Sequence, residues 1–161
     1  LVQHPLYRSA ALPLRVAAPY YARYTAGMGY GEHVDDPVMG ADGQLYRSDL
    51  SITVFLNEPS DYDGGELMIG GAGGEQAVKF AAGDAVLYPA STLHRVAAVT
   101  RGERLVAVTW VQSLVRDPAQ RELLHDLNGV RERLLAGAPE SEDAKLVNKR
   151  YVNLEYIRGQ V

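Results

Sequence analysis

His33 and Asp35 stand two residues apart in the segment Gly31-Glu32-His33-Val34-Asp35-Asp36-Pro37. In extended chain, alternate residues face the same side, so an imidazole and a carboxylate project together while Val34 points away. The chain has only four histidines, His4, His33, His94 and His125, so any imidazole metal site draws on a short list. His94 follows Tyr88-Pro89-Ala90-Ser91-Thr92-Leu93, at the entry to a later strand. Two imidazoles and one carboxylate make a facial triad that leaves adjacent positions open on an octahedral metal and suits Fe(II). The open positions would take a bidentate 2-oxo acid and O₂. Such an acid has a second carboxylate, which needs a cation in the cavity wall. Arg104 lies ten residues after His94. The spacing predicts a tight turn over Thr100–Glu103 that returns the chain antiparallel to the His94 strand. Arg104, Val106, Val108 and Trp110 would then share one largely apolar face. A guanidinium buried there is costly without an anion, and a carboxylate gripped by its planar fork satisfies it.

A bare His-x-Asp pair arises more often by chance in a surface turn than as a metal site, so the pair alone decides little. The four residue types in this order, in a strand-rich chain, carry the reading. Two other readings use the same residues. A cupin-like binding module could hold a metal on the same scaffold without oxygen chemistry, but it has no need of a buried Arg104. A zinc hydrolase could use two histidines and a carboxylate, but no general-base motif accompanies them.

The elements that would position these residues are short. Segments 14–24, 51–56, 66–69, 77–80, 85–88 and 105–111 are rich in Val, Ile, Tyr and Thr and are separated by Gly, Pro, Asp and Asn. Many short strands with glycine-rich turns predict a mainly β domain over residues 1–115, a sandwich, barrel or jelly roll. From Asp117 the pattern changes. Asp117-Pro118 is an N-cap followed by an N1 proline, and Leu123, Leu124, Leu127, Val130, Leu134 and Leu135 recur at helical spacing. Gly137 and Pro139 end that helix, and Ser141 opens a second with Ala144, Val147, Tyr151 and Leu154 on one face. This C-terminal helical segment, 116–161, reads as scaffold packed on the core or as a homodimer contact. The run Gly70-Gly71-Ala72-Gly73-Gly74 has no Lys-Ser/Thr after it and no following helix, so it reads as a hairpin loop and not a phosphate cradle.

Composition bounds the rest. Among 161 residues, 47% are hydrophobic and 22% charged, the balance of one globular domain. There is no cysteine, which removes disulfides, thiolate catalysis and iron–sulfur ligation. The net charge of −4 and the lack of a basic stripe argue against nucleic acid as a partner. No apolar run reaches membrane-spanning length and no export signal opens the chain, so the cytoplasm is the expected compartment. Residues 36–49, with Pro37, Gly40 and Asp42-Gly43, read as a loop or short hairpin beside the metal, a candidate substrate lid with Tyr30, Met39, Arg47 and Asp49. Trp110 reads as core and His125 as a solvated helix residue.

Two stretches resemble a known family. Tyr24-Thr25-Ala26-Gly27-Met28-Gly29-Tyr30-Gly31-Glu32-His33-Val34-Asp35 is similar to the first half of the prolyl 4-hydroxylase superfamily signature. Tyr62-Asp63-Gly64-Gly65-Glu66-Leu67, Gly83-Asp84-Ala85-Val86-Leu87-Tyr88-Pro89, His94-Arg95-Val96 and Arg104 are similar to the second half. The resemblance runs from about Leu12 to Asp126, takes in 47–51 and 55–59, and is nearest to the bacterial PKHD-type hydroxylases. It implies a double-stranded β-helix, Fe(II), 2-oxoglutarate as cosubstrate and a stimulatory role for L-ascorbate. It places iron on His33, Asp35 and His94 and the distal carboxylate on Arg104, with Tyr24 as a further cosubstrate contact. The implied activity is dioxygenase hydroxylation of an amino-acid side chain, a peptide or a siderophore-like molecule, with succinate and CO₂ released. Related halogenases have a small residue in place of the carboxylate, so Asp35 favours hydroxylation. Related animal hydroxylases carry a tyrosine where this chain has Phe55, which leaves the hydroxyl partner of Arg104 open. Family members also begin with a further subdomain before the point matching Leu1.

Overall fold

The computed structural model describes residues 1–158. In chain order the elements are α1 (Pro5–Ala11), β1 (Pro13–Val16), β2 (Tyr20–Thr25), β3 (Tyr30–His33), β4 (Val38–Met39), β5 (Tyr46–Arg47) and β6 (Leu50–Phe55). A 3₁₀ turn at Pro59–Asp61 precedes β7 (Tyr62–Gly64), β8 (Leu67–Gly71), β9 (Gly74–Val78), β10 (Ala85–Pro89), β11 (His94–Val96) and β12 (Val99–Ser113). Two helices follow, α2 (Pro118–Gly137) and α3 (Glu142–Arg158). These elements form two compact units, Arg15–Gln112 and a second made of Leu1–Leu14 with the described residues from Ser113 onward.

The Arg15–Gln112 unit is a jelly roll of two antiparallel sheets. One runs β10-β6-β12-β2, and the other runs β9-β8-β11-β3. Alternation along each strand supplies the core between them. Phe55, Tyr88 and Val106 come from the first sheet, and Leu67 and Val78 from the second. All five are nearly inaccessible to solvent. β6 is buried on both faces, with Ser51, Thr53 and Phe55 on one and Leu50 and Ile52 on the other. The glycine run forms the β8–β9 hairpin, where Gly71 pairs with Gly74, as its composition predicted.

The segment expected as one strand over 14–24 is two, β1 and β2, because Pro19 interrupts the ladder. The turn expected over Thr100–Glu103 does not form. Those residues belong to the single strand β12, which starts at Val99 and shifts register between Val99 and Arg101 against β7. The extra residue is Thr100, and Gly102 beyond it, with φ of 72°, stays paired with Tyr62 as the strand continues. The partner strands of β11 are β3 and β8, not β12, so Arg104 and His94 lie in opposite sheets.

In the other unit, Leu12, Val115, Leu124 and Tyr151 form a separate cluster that Leu127 and Leu154 extend. The Asp117 carboxylate accepts from Gln120 N–H at 3.0 Å, and Ser141 Oγ accepts from Ala144 N–H at 3.2 Å, so both expected N-caps are made. α1 has no counterpart in the sequence reading. At seven residues it is too short to show a helical period, although Pro5 sits at its first turn. His125 is half-buried with Nδ1 3.0 Å from Ser9 Oγ, not solvated. Among the described residues no helix is long and apolar enough to cross a membrane.

The left-handed backbone at Gly102 gives a direct test. A Cβ on Gly102 would fall onto the Asp61 carbonyl oxygen in a left-handed backbone conformation. Gly102→Ala is expected to destabilise the protein by about 2–3 kcal/mol, read as a lower urea midpoint with an unchanged slope.

Candidate metal and cosubstrate site

β3 ends at His33 and β11 begins at His94, and the two residues are paired across the ladder. Directly opposed residues share a face, so their rings meet with centroids 4.3 Å apart. Each ring is pinned from behind. His33 Nδ1 lies 2.8 Å from the Gly31 carbonyl oxygen and His94 Nδ1 lies 2.9 Å from that of Thr92, in both cases two residues back. A carbonyl only accepts, so Nδ1 carries the proton and donates, and Nε2 is left with a free lone pair. Both Nε2 atoms turn toward Asp35, at 3.9 and 3.8 Å from Oδ1. Those distances are too long for hydrogen bonds. The three side chains nonetheless offer ligand atoms within 4.8 Å of one another. The chain is turned at Asp35 by its N–H, which donates to the Ala90 carbonyl at 3.1 Å.

The donor set fits a metal. Asp35 is 6% exposed at its side chain, and its buried Oδ2 has no hydrogen-bond partner among the described residues. A carboxylate left in that state is costly unless a cation completes it. Two imidazoles with Nε2 turned inward and one carboxylate, open on the cavity side, match the facial arrangement of non-haem Fe(II).

The cavity beside them has a volume of about 480 Å³ and reaches Arg104. Tyr24 is paired opposite Arg104 across β2 and β12, and its ring centroid lies 5.2 Å from the guanidinium carbon. Phe55 lies on the other side at 5.8 Å. Arg104 is 2% exposed. Burial pushes its pKa down, against smaller opposing pulls from Tyr62, Tyr24 and Tyr88. Tyr62 pulls on it by charge and by a loose hydrogen-bond contact, but among the described residues neither the Tyr62 hydroxyl nor Arg104 Nε makes a full hydrogen bond. Lys79 fixes Tyr62 in place, donating to its carbonyl at 2.7 Å and lying 3.9 Å from its ring centroid. Gly65 makes room for this arrangement: with φ of 67°, a Cβ there would press on the Arg104 and Tyr62 side chains and on Val99.

His33, Asp35, His94, Tyr24 and Arg104 therefore line one cavity. Tyr30 and Met39 join them, whereas Arg47 and Asp49 pair with each other at 2.6 Å and stand outside it. Trp110, expected in the core, is a half-buried part of the wall. Sequence reasoning missed Ser51, Thr53, Tyr62 and Tyr88. Ser51 and Thr53 share the inward face of β6, so the period-two pattern of that strand held the signal. The Tyr88 ring packs edge-on to His94 at 5.0 Å.

A jelly roll with two imidazoles and a carboxylate at the mouth of a cavity, and a buried cation inside it, defines the class of 2-oxo-acid-dependent iron oxygenases. Comparison with known proteins agrees. Residues 19–112 match the model of the 2OG-Fe(II) oxygenase superfamily. A PKHD-type hydroxylase of Psychrobacter sp. (strain PRwf-1) is 51% identical over 88% of this chain and 57% of its own length. One from Synechococcus sp. (strain JA-2-3B'a(2-13)) is 49% identical over 96% of this chain and 69% of its own. In fold, the chain is similar to a prolyl hydroxylase from Trichoplax adhaerens solved with a hypoxia inducible factor peptide fragment. The TM-score is 0.50 at 19% identity, over 70% of this chain and 49% of that one. The chain belongs to the 2OG-Fe(II) oxygenase superfamily and, within it, to the PKHD-type hydroxylases. It spans little more than half to about two thirds of the length of these two relatives.

A buried guanidinium without an anion burdens the ligand-free fold. Arg104→Met keeps much of the volume and removes the charge, and is expected to stabilise the ligand-free protein by about 1–3 kcal/mol. Urea unfolding in metal-free buffer reads this directly.

Proposed function

We propose that this chain is the catalytic jelly roll of an Fe(II)- and 2-oxoglutarate-dependent dioxygenase that hydroxylates an amino-acid side chain, a peptide or a siderophore-like molecule. The observation that carries the reading is Arg104, a cation buried in an aromatic wall of the cavity that His33, Asp35 and His94 close. A metal-binding module without oxygen chemistry would have no use for it.

In this reading His33 Nε2, His94 Nε2 and a carboxylate oxygen of Asp35 hold the iron. Arg104 grips the distal carboxylate of 2-oxoglutarate, and its fork sets the direction in which the 2-oxo end faces the triad. Tyr24 lies along the same wall and packs against the bound cosubstrate, while Tyr62, held by Lys79, supplies the hydroxyl beside Arg104 that Phe55 lacks. Gly31 and Thr92 keep both imidazoles in the tautomer that leaves Nε2 free. Leu67, Val96 and Val108 exclude water from the space between triad and guanidinium. Fe(II) with 2-oxoglutarate supplies the oxidative chemistry, dividing O₂ between the cosubstrate, which leaves as succinate and CO₂, and a substrate C–H, which becomes C–OH. L-Ascorbate serves as an external reductant that keeps the iron ferrous. We place the protein in the cytoplasm, where both iron and 2-oxoglutarate are at hand.

Loaded with Fe(II), the protein is expected to release succinate from 2-oxoglutarate slowly even without substrate; no release at all would favour the metal-binding module. His33→Ala, Asp35→Ala and His94→Ala are each expected to lose stoichiometric iron with an unchanged circular dichroism spectrum, and full iron occupancy in any of them would remove that residue from the ligand set. Arg104→Ala is expected to weaken 2-oxoglutarate binding about a hundredfold, ~3 kcal/mol, as for a lost charge-assisted carboxylate contact. An unchanged affinity by calorimetry would place the anchor elsewhere.

A further inference from the structure

We propose that the open end of the cavity takes a substrate bearing an organic cation, a protonated or quaternary amine held by the Asp36 carboxylate against the rings of Tyr20, Tyr30 and Trp110. This rests on the oxygenase reading above and names the substrate class of that same site.

Charge is the first argument. In the loaded site the two positive charges of Fe(II) and the one of Arg104 balance the one negative charge of Asp35 and the two of 2-oxoglutarate, with both imidazoles neutral. One charged side chain of the wall is left over, Asp36. Its carboxylate makes no ion pair or hydrogen bond among the described residues. The basic groups of the neighbouring strands are engaged elsewhere, Arg47 with Asp49 at 2.6 Å and Arg95 with Glu75 at 2.9 Å. A neutral substrate closing over Asp36 would strip its water and return at most a hydrogen bond without charge balance, and an anionic one would be repelled. A cation meets it.

Position is the second. Arg104 and Trp110 lie on one face of β12, six residues apart, which is roughly 20 Å of strand. A 2-oxo acid held between Arg104 and the triad is far shorter, so the Trp110 end stays free for substrate. The wall at that end is aromatic. Tyr20 meets Trp110 edge to face at 5.7 Å, and Tyr30 meets the His33 ring at 4.5 Å. Tyr20 is 67% and Tyr30 56% exposed, although both line the cavity. Rings left bare beside an unpaired carboxylate attract an organic cation through their negative faces and shed an anion.

Trp110 is the only tryptophan in the chain, so its fluorescence reports on this end of the cavity. The unmodified chain, loaded with Fe(II) and 2-oxoglutarate without oxygen, would be titrated with choline and with its neutral isostere 3,3-dimethylbutan-1-ol. Choline is expected to reach half effect at a concentration about tenfold lower. Asp36→Asn should bring the two probes together, and Asp36→Glu should restore the preference. Equal responses in the unmodified protein, or a preference for the neutral probe, would overturn the proposal whether or not the variants fold. A blocked lysyl tripeptide binding more tightly than choline would put the cation on a peptide side chain, and the reverse would put it on a small free cation; each sustains the proposal. Calorimetry of 2-oxoglutarate on the same sample separates the two levels. If 2-oxoglutarate does not bind, the oxygenase reading falls and this inference with it; if it binds and choline shows no preference, this inference alone falls.

Discussion

A guanidinium enclosed by hydrocarbon and aromatic rings is the constraint around which the jelly roll is arranged. Arg104 lies in the middle strand of one sheet with Tyr24 opposite it and Phe55 beyond, and among the described residues the groups acting on its charge are tyrosines and not carboxylates. Folding brings it there because Val106 and Val108 continue the same strand face and must be buried. A slip of one residue would carry Arg104 to the opposite face together with every apolar neighbour, so the register that buries the valines also buries the cation. The cost of that burial is of the order at which removing one partner of a buried pair unfolds proteins, several kcal/mol. An anion that binds the folded state and not the unfolded one offsets it through mass action.

The triad depends on a second constraint, which is the pairing of His33 with His94. Two strands from distant parts of the chain meet at one rung of the ladder, and the rung sets the ring spacing. The carbonyls of Gly31 and Thr92 then fix each tautomer from the side away from the cavity. Orientation of a metal ligand by its outer hydrogen bond is as much part of the site as the ligand itself. Here both outer bonds are main-chain, so they come with the backbone path and need no further side chain.

Much of this was legible in the residues. His-x-Asp in extended chain, a later histidine and an arginine ten positions on were enough to nominate the site, because alternation is fixed by strand geometry alone. The face shared by Arg104, Val106, Val108 and Trp110 followed from the same rule. What could not be read was which strands are neighbours. Thr100–Glu103 has the composition of a turn, and the expected return beside His94 was a local solution. The chain instead keeps going through a bulge at Thr100 and joins the opposite sheet, so Arg104 faces the triad across the cavity instead of lying next to it. That choice depends on β7, whose Tyr62 and Asp63 pair with Gly102 and Arg101. A contact spanning some forty residues leaves no local signature. Tyr62 escaped notice for the same reason, since only the tertiary fold sets it beside Arg104. Trp110 escaped because an inward-facing strand position reads identically whether it meets another side chain or a cavity.

The unsatisfied groups separate those two cases. Among the described residues, the buried side-chain polar atoms without a hydrogen-bond partner belong to Tyr7, Asp35, Ser51, Tyr62, Arg104 and Trp110. All except Tyr7 line the cavity or stand beside Arg104. Native interiors leave few such groups, because each costs on the order of 1–3 kcal/mol. Five of them around one space cannot be scattered packing errors, and they differ in kind: a carboxylate oxygen, a guanidinium nitrogen, two hydroxyls and an indole N–H. No single water or ion would satisfy that set. A cation at Asp35 and an anion at Arg104 would meet its two charged members. What folding leaves unpaired thus gathers around one cavity with an acceptor at one end and a cation at the other, an arrangement that a packed core has no reason to keep.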